Sequence, residues 1–422
     1  MLKTSILAIG DEILIGQIVN TNSQRIAEMV TAVGCKVVKI STIGDERTNI
    51  IKELDDLLNI SDLLIITGGL GPTHDDITKQ VLCDYVGDTL VEDAEWLQKL
   101  IKQFEHRNIP LVPRNREQAL IPSRSKLLFN RIGTAPGMLI EYKGKHIIST
   151  PGVPQETMAI MNEVALPIIS EFAKSSKSET VIYKNYRTSG VPESVLADML
   201  AEVDLKFLDK SSMAYLPNFA GVKLRIGAYG STHAEAEKEM ERISSKVIQL
   251  VGKHIICESE ESFASVLGKL LKSSNKTLAV AESCTGGLLG GEITSVAGSS
   301  AFFLGGMLTY SNAIKIHNLG VKPGTINKFG AVSRECAEEM AAQVREKFRA
   351  DYGISITGIA GPDGGTDEKP VGTVWIGIAD RNGVTAEMKN CGNAREMVRD
   401  RTVQTAIVML INKLRQSLNK GI

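Results

Sequence analysis

The feature that most restricts the possible folds is the strict alternation of strand and helix signals near the start of the chain. Ser5–Ile9 reads as a strand followed by Asp11 and Glu12. Asn22–Val33 reads as a helix closed by Gly34, and Lys36–Ile43 as a strand ending at Gly44 and Asp45. Thr48–Leu58 reads as a helix, and Asp62–Thr67 as a strand entering Gly68-Gly69-Leu70-Gly71-Pro72-Thr73-His74-Asp75-Asp76. This order predicts an α/β unit with a doubly wound, mostly parallel sheet, whose sites lie beyond the carboxyl ends of the strands. Three successive strands there end in acidic residues beside a glycine-rich loop able to approach phosphate oxygens. Carboxylates and phosphate together suggest a divalent cation of the magnesium type. Asp11, Asp45, Asp75 and Asp76 are the candidate ligands, and Gly69 and Gly71 the candidate contacts to substrate. Loops are also acidic for solubility alone, so the plain surface reading stays open for any one pair.

The stretches VPRNREQALIPSRSKLLFNRIGTAPGM and IISTPGVPQET carry repeated glycine and proline punctuation and read as ordered loops rather than helices. Arg114, Asn115 and Gln118 can reach a nucleotide or its phosphates from there, with solvated surface the alternative for each. Residues 171–180, EFAKSSKSET, read as a polar linker. A βαββα pattern follows: strand Val181–Tyr186, helix Pro192–Leu200, strands near Met213–Leu216 and Val222–Ala228, and a charged helix Ala234–Val251. It fits a small α+β spacer or dimerisation domain, near the lower size limit for an independent core. The expected boundaries are therefore 1–170, 171–252 and 253–422.

In the last segment, Leu278–Ala281 reads as a short buried strand running into Glu282, Ser283, Cys284 and Thr285, after which Gly286 and Gly287 open an apolar helix-like run toward Val296. A serine at a strand-to-helix turn is either a helix cap or a hydroxyl beside free N–H groups able to hold an oxyanion or phosphate. Strand Phe302–Tyr310 leads into Ser311, a helix cap, with Lys315 close behind; Ser333 caps helix Arg334–Phe348. Strand Ile354–Thr357 enters a second glycine-rich loop holding Gly361, Gly364 and Gly365, and a long helix from Asn393 closes the chain. A lysine near the positive end of a helix and near Arg395 or Arg399 should have its pKa lowered. A neutral lysine can then act as general base for Ser283, with Tyr310 orienting it or relaying the proton. N–H groups after Ser283 would form the oxyanion hole, each donor worth about 10²–10³ in rate. Cys284 is a competing nucleophile with no histidine near it in sequence, and ranks second.

Basic and acidic side chains nearly cancel, 48 against 49, so the chain shows no electrostatic footprint for nucleic acid. The start lacks the apolar core of a signal peptide, and no apolar run reaches membrane-spanning length. The six cysteines are scattered without a CxxC pair, and the six histidines form no ligand cluster. A cytoplasmic, multidomain chain with reduced thiols is expected, with no membrane contact.

GDEIL, GGLGPTHDD, NREQALIP, GTAPGM and PGVP together resemble the molybdopterin-binding-like domain at the N-terminus of CinA proteins, over residues 1–170. The resemblance implies metal-dependent hydrolysis of ADP-ribose to AMP and ribose 5-phosphate, with Asp45 and Asp76 at the positions of the acidic pair. Thr150 before Pro151 and Thr157 after Glu156 depart from the pattern and read as packing changes. AESCTGG, TYSNAIK, GAVS and GIAGPDGG…KPVGTVW resemble the PncC family, the C-terminal domain of CinA proteins, from about residue 255 onward. That likeness implies a separate α/β amidase domain converting nicotinamide mononucleotide to nicotinate mononucleotide and ammonia without a metal. Carried over by motif, Ser283 is the nucleophile, Tyr310 and Lys315 the base system, and an arginine of GNAREMVR assists. A one-residue shift at Gly392 leaves both Arg395 and Arg399 open. Thr285, Gly286, Gly287, Gly361, Gly364 and Gly365 are the matching substrate contacts.

Both implied substrates are breakdown products of pyridine nucleotides, which suggests a bifunctional salvage hydrolase, expected as a homodimer. The rival readings are a pterin-binding or catalytically silent N-terminal module, and a competence or DNA-repair accessory protein.

Overall fold

The computed structural model describes residues 1–175, 180–207, 210–259 and 261–419. By packing, the chain divides into two compact units, Met1–Ile182 with Ala228–Glu239, and Tyr183–Gly227 with Met240–Ile422.

The first unit is built on a six-stranded sheet in the order Lys36–Ile43, Lys3–Ile9, Leu63–Thr67, Lys145–Thr150, Gly137–Tyr142, Lys126–Leu128. The first four strands are parallel, and the last two turn back antiparallel. Alternation along the central strands feeds two cores. Ile6, Ile65 and Ile148 pack with Ile26 and Val30 of helix Thr21–Ala32. Leu7, Leu64, Ile66 and Ile147 pack on the opposite face with Ile50, Leu54 and Leu57 of helix Arg47–Ile60. Helices on both faces of a mostly parallel sheet are the doubly wound arrangement, and parallel pairing brings Ile9, Ile43 and Thr67 to one edge.

Three expectations need correction here. VPRNREQAL is not all loop: Pro113–Arg116 forms a helical turn, with Pro113 at its first position, and Glu117–Ala119 a 3-10 turn. The start of the supposed linker is the end of helix Leu166–Ser175, whose Ile169 is buried; 176–179 lie outside the described residues. The middle segment is βαββαβ rather than βαββα. Its sheet runs Ser211–Asn218, Gly221–Gly230, Thr180–Thr188, Ile255–Cys257. The fourth strand, beyond residue 252, pairs antiparallel with Arg187 and Thr188.

In the second unit a five-stranded sheet runs Phe303–Leu308, Leu278–Glu282, Tyr352–Gly358, Thr373–Asp380, Gly383–Asn390. The first three strands are parallel and the others antiparallel. One face packs Val280, Ile354, Ile376 and Ile378 against Leu267 and Leu271 of helix Phe263–Ser273 and Val403, Ile407 and Ile411 of helix Arg395–Asn419. The other packs Ala279 and Ala281 against Cys336, Met340 and Val344 of helix Arg334–Phe348. Each fully buried Leu, Ile or Val contributes about 1.5–3 kcal/mol, so the strand ends that carry polar residues are held by cores on both faces.

Candidate functional site

Ser283 follows the last residue of the strand Leu278–Glu282, at the carboxyl edge of three parallel strands. Its amide donates to the Ile356 carbonyl at 3.0 Å, which fixes its backbone to the sheet. Lys315 comes from the turn after strand Phe303–Leu308, beyond the Ser311 cap, which accepts from the Ile314 amide. Its Nζ lies 2.9 Å from Ser283 Oγ, 2.7 Å from the Thr309 carbonyl oxygen and 3.4 Å from that of Tyr310. The side chain is only 2% exposed. Burial pulls its ammonium below the ordinary lysine value, with the thiols of Cys336 and Cys284 opposing. The expectation that a helix end and an arginine would lower this pKa is thus corrected: removal from water leads. A neutral amine has two N–H bonds and one lone pair. With the two carbonyls taking the N–H bonds, the lone pair is left for the Ser283 hydroxyl.

Tyr310 contributes through its backbone. Its side chain is 64% exposed, and only its carbonyl reaches Lys315. The sequence-based placement of the phenol beside the lysine is therefore corrected: past the end of an edge strand, the side chain turns outward. Cys284 is buried, and burial pushes its thiol up to about 12, so it is held as the neutral thiol.

The helix after this turn, Leu288–Thr294, does not offer its N-terminus to a ligand. Glu282, 1% exposed, fills it. One carboxylate oxygen accepts from the amides of Gly287 at 3.0 Å and Leu289 at 3.1 Å, and the other from Gly290 at 2.8 Å. The Gly286 amide turns back to the Ser283 carbonyl. An anion on the Gly286–Gly287 amides is therefore corrected to an internal carboxylate. Among the described residues, the Cys284 and Thr285 amides meet no backbone carbonyl, and the Cys284 amide lies beside its own thiol, so both can turn to an oxyanion. Gly286 and Gly287 have φ of +61° and +98°, so the chain reverses here through a conformation other residues rarely take.

The two arginines take different places. Arg399 Nη2 donates to the Thr285 carbonyl at 3.0 Å, and its Nε has no partner among the described residues; nor has the buried hydroxyl of Thr285. Arg395 Nη1 donates to the Gly361 carbonyl at 2.8 Å, at the head of the second glycine-rich loop. Lys369, at the loop's far side, donates to the carbonyls of Phe329 and Val332. Gly364 and Gly365 lie on the exposed part of that loop.

In the first unit Gly68 and Gly69 turn the chain out of the Leu63–Thr67 strand with positive φ. A side chain at Gly69 would stand 2.0 Å from Thr78 Oγ1, and the Gly69 carbonyl accepts from the Thr78 amide, which closes the loop on its helix. The Asp11 amide donates to Asp45 Oδ2 at 3.1 Å. Burial raises the Asp45 pKa, and the carboxylates of Asp11, Glu12 and Asp75 raise it further against that hydrogen bond. These acids therefore converge electrostatically. Asp76 instead accepts from the Thr73 amide at 2.9 Å and from the Thr73 hydroxyl. Among the described residues no three His, Cys, Asp or Glu side chains assemble as a metal site. The expectation of Asp11, Asp45, Asp75 and Asp76 as a ready-made set is corrected accordingly: the loop uses Asp76 to hold its own turn, while Asp11 and Asp75 remain near Asp45. Asn115 is half-buried on the short helix. Beside it lie Arg114 and Gln118, expected there from the sequence, and Lys79, which was not. Arg114 meets His74 at 3.3 Å. Lys79 donates to the Glu117 carbonyl at 2.7 Å, and burial pulls it down to about 8. Gln118 is buried with neither amide atom partnered among the described residues.

Family models match three successive segments. They are described as the CinA C-terminal domain, residues 260–414, a probable molybdopterin binding domain, residues 5–171, and a damage-inducible protein CinA KH domain, residues 183–257. A CinA-like protein of Cytophaga hutchinsonii is 40% identical over 98% of this chain and 98% of its own length. A putative competence-damage inducible protein of Halothermothrix orenii is 41% identical, again over 98% of each. The chain belongs to the CinA family. A solved competence/damage inducible protein from Agrobacterium tumefaciens is 40% identical and covers 37% of this chain and 97% of that one, with a TM-score of 0.35.

Within the segment matched by the CinA KH model, the one G-x-x-G sequence is Gly227–Gly230, and it lies inside the strand Gly221–Gly230. KH modules clamp nucleic acid with a G-x-x-G loop, and this position is not a loop. No helix of the described residues is long and apolar enough to cross a membrane.

Proposed function

We propose that the C-terminal segment of this CinA-family chain is an amidase that hydrolyses the carboxamide of nicotinamide mononucleotide. The observation that carries the reading is the buried Lys315 amine, 2.9 Å from Ser283 Oγ. Lys315 takes the hydroxyl proton as Oγ forms its bond to the carboxamide carbon. The carbonyl π electrons move to oxygen, where the Cys284 and Thr285 amides stabilise the charge. Collapse breaks the C–N bond, and the lysine ammonium passes its proton to the departing nitrogen, which leaves as ammonia. Water then attacks the acyl-enzyme with Lys315 again the base, giving the nicotinate nucleotide and restoring Ser283. Arg399 steadies the turn through the Thr285 carbonyl, and Arg395 steadies the head of the Gly361–Gly365 loop. The test is ammonia release by the full chain, wild type and Ser283→Ala, with and without chelator. Chelator-resistant release that is lost in the variant supports the reading; equal release by both overturns it.

For the N-terminal segment we propose hydrolysis of ADP-ribose to AMP and ribose 5-phosphate. The raised Asp45 pKa, with Asp11, Glu12 and Asp75 as its neighbours, fits a divalent cation that the protein shares with a diphosphate rather than cages alone. Asp45 and Asp75 would hold it, and when bound it would neutralise diphosphate charge. Lys79 and Arg114 stand ready for phosphate oxygens on the chain's side of that charge balance. Metal-dependent AMP release that survives Ser283→Ala and is lost in Asp45→Asn tests this. Co-purification of a pterin without turnover favours a binding module. The working assembly is expected to be a homodimer, read by light scattering.

A further inference from the structure

Glu282 is a buried titratable group that the proposed mechanism leaves unused. Its backbone is pinned to both neighbouring strands, in register with Leu308 and Ile356, and its carbonyl accepts from the Thr309 amide at 2.7 Å and the Thr309 hydroxyl at 3.2 Å. Its side chain reaches forward to accept from the amides of Gly287, Leu289 and Gly290, five, seven and eight residues on. Sheet and helix are thereby tied together across the Ser283–Gly287 turn. Two residues of that turn are glycines in the left-handed region, so the intervening backbone has little local preference of its own. A carboxylate removed from water requires such donors, and charge-assisted bonds to N–H groups are the stronger kind.

We propose that Glu282 is the positioning residue of the nucleophile. It clamps the turn so that the Ser283 hydroxyl faces Lys315 while the Cys284 and Thr285 amides point together at one oxygen. The inference rests on the reading of Ser283 as nucleophile. Glu282 itself neither touches substrate nor moves a proton. Glutamine at this place keeps the shape but turns one of the two acceptors into a donor facing an amide N–H. Glu282→Gln therefore loosens the turn without opening a cavity, and Glu282→Asp leaves the carboxylate one methylene short.

The test uses the full chain as wild type, Glu282→Gln and Glu282→Asp, with amide hydrogen exchange resolved over residues 283–290 and turnover of nicotinamide mononucleotide across pH. In wild type, slow exchange is expected at Gly287, Leu289 and Gly290, and fast exchange at Cys284 and Thr285. In Glu282→Gln the three slow amides speed up. Its kcat falls by about 10²-fold, as for a displacement of about 1 Å, with KM nearly unchanged. The acid limb of the pH profile stays in place, because burial sets the Lys315 ionisation. Unchanged exchange in the variant, or faster exchange with wild-type kcat, overturns the proposal. So does a shifted acid limb with a raised KM, which would put Glu282 in contact with the reaction. Should wild type leave the nucleotide intact, the amidase reading fails by itself, and the exchange pattern still decides whether Glu282 holds the turn. If Glu282→Gln does not fold, the same decision falls to wild type: the absence of its slow–fast contrast is incompatible with a clamp.

Discussion

Replacing Lys315 with methionine removes the base while filling nearly the same slot. The variant loses the contact to Ser283 Oγ and the N–H donors to the Thr309 and Tyr310 carbonyls. A positioned general base is worth about 10²–10⁴ in rate, or about 3–5 kcal/mol of barrier. Such a fall is expected in kcat, with KM nearly unchanged, because the lysine faces the serine rather than a bound ground state. Two opposing effects act on stability. The Thr309 carbonyl, on a fully buried residue, loses its donor, which costs about 1–3 kcal/mol. Against this, the depressed folded-state pKa means that the unfolded chain binds more protons between that pKa and the ordinary value of 10.5. Wild-type stability therefore rises with pH across that window, and the burial penalty is fully present below it. Methionine carries no such penalty. At neutral pH the melting temperatures should thus lie within about 4 °C of each other, and wild type should gain on the variant as pH rises. Ammonia release and thermal unfolding measured from pH 6 to about pH 10.5 read both effects. Wild-type kcat should climb with pH as Lys315 loses its proton, and the residual rate of the variant should not. A variant that keeps more than about a tenth of wild-type kcat, with the same acid limb, would refute Lys315 as the base.

Cys284→Ala should keep ammonia release within about threefold of wild type, because a thiol pushed up to about 12 supplies almost no thiolate near neutral pH; a hundredfold loss would move the nucleophile to sulfur. Tyr310→Phe should leave kcat within about twofold, since an exposed phenol is removed and the carbonyl that meets Lys315 stays; a large loss would show that the ring swings inward during turnover. Asp45→Asn should abolish metal-dependent AMP release while raising the melting temperature at pH 7. The folded-state pKa of Asp45 is raised, so wild-type stability falls as pH rises through that window, and the variant's advantage should vanish once the medium is acid enough to protonate the carboxyl.

Where local chemistry decides the outcome, the sequence was legible. Lys36–Ile43 is a strand over the expected residues, and Ser333 and Ser311 cap the helices they precede. The Ser283–Lys315 contact, 32 residues apart, was expected from a serine at a strand-to-helix turn, a lysine just behind a helix cap and the motif resemblance. The helix Ala94–His106 carried a readable signal, the Asp93 cap followed by the apolar positions Trp96, Leu97 and Leu100, and was passed over. Other features had no local signal. Ile255–Cys257 is three residues long, and only its pairing with the Thr180–Thr188 strand makes it a strand. The outward turn of Tyr310 depends on Phe303–Leu308 being the sheet's edge. The cause of the Lys315 shift depends on how much protein covers it.

The two glycine-rich turns show why an acid beside glycines is ambiguous in a sequence. Both follow a buried parallel strand, and both place a carboxylate next to free amides. In the N-terminal turn the acids come after the glycines, and Asp76 folds back onto Thr73 within its own loop. That leaves Asp45 among like charges at the sheet edge, a deficit that a cation can relieve. In the C-terminal turn the acid precedes the glycines, as the last strand residue, and its side chain reaches past the nucleophile to the helix amides. There the charge is already balanced by N–H donors, and the turn has no comparable need for an ion. Position relative to the glycines decides which amides a carboxylate can reach. An acid ahead of them can close a helix N-terminus from inside, which favours rigid presentation of the next residue. An acid behind them leaves the strand ends with unbalanced charge, which favours a ligand carrying the opposite sign. On this argument, moving the carboxylate by Glu282→Gln with Ser283→Glu should fail to restore the slow exchange of Gly287, Leu289 and Gly290. From one residue later, with its backbone amide still bonded to Ile356, the side chain starts from a different face of the turn. Recovery of that protection would show that proximity alone suffices and that strand register is irrelevant.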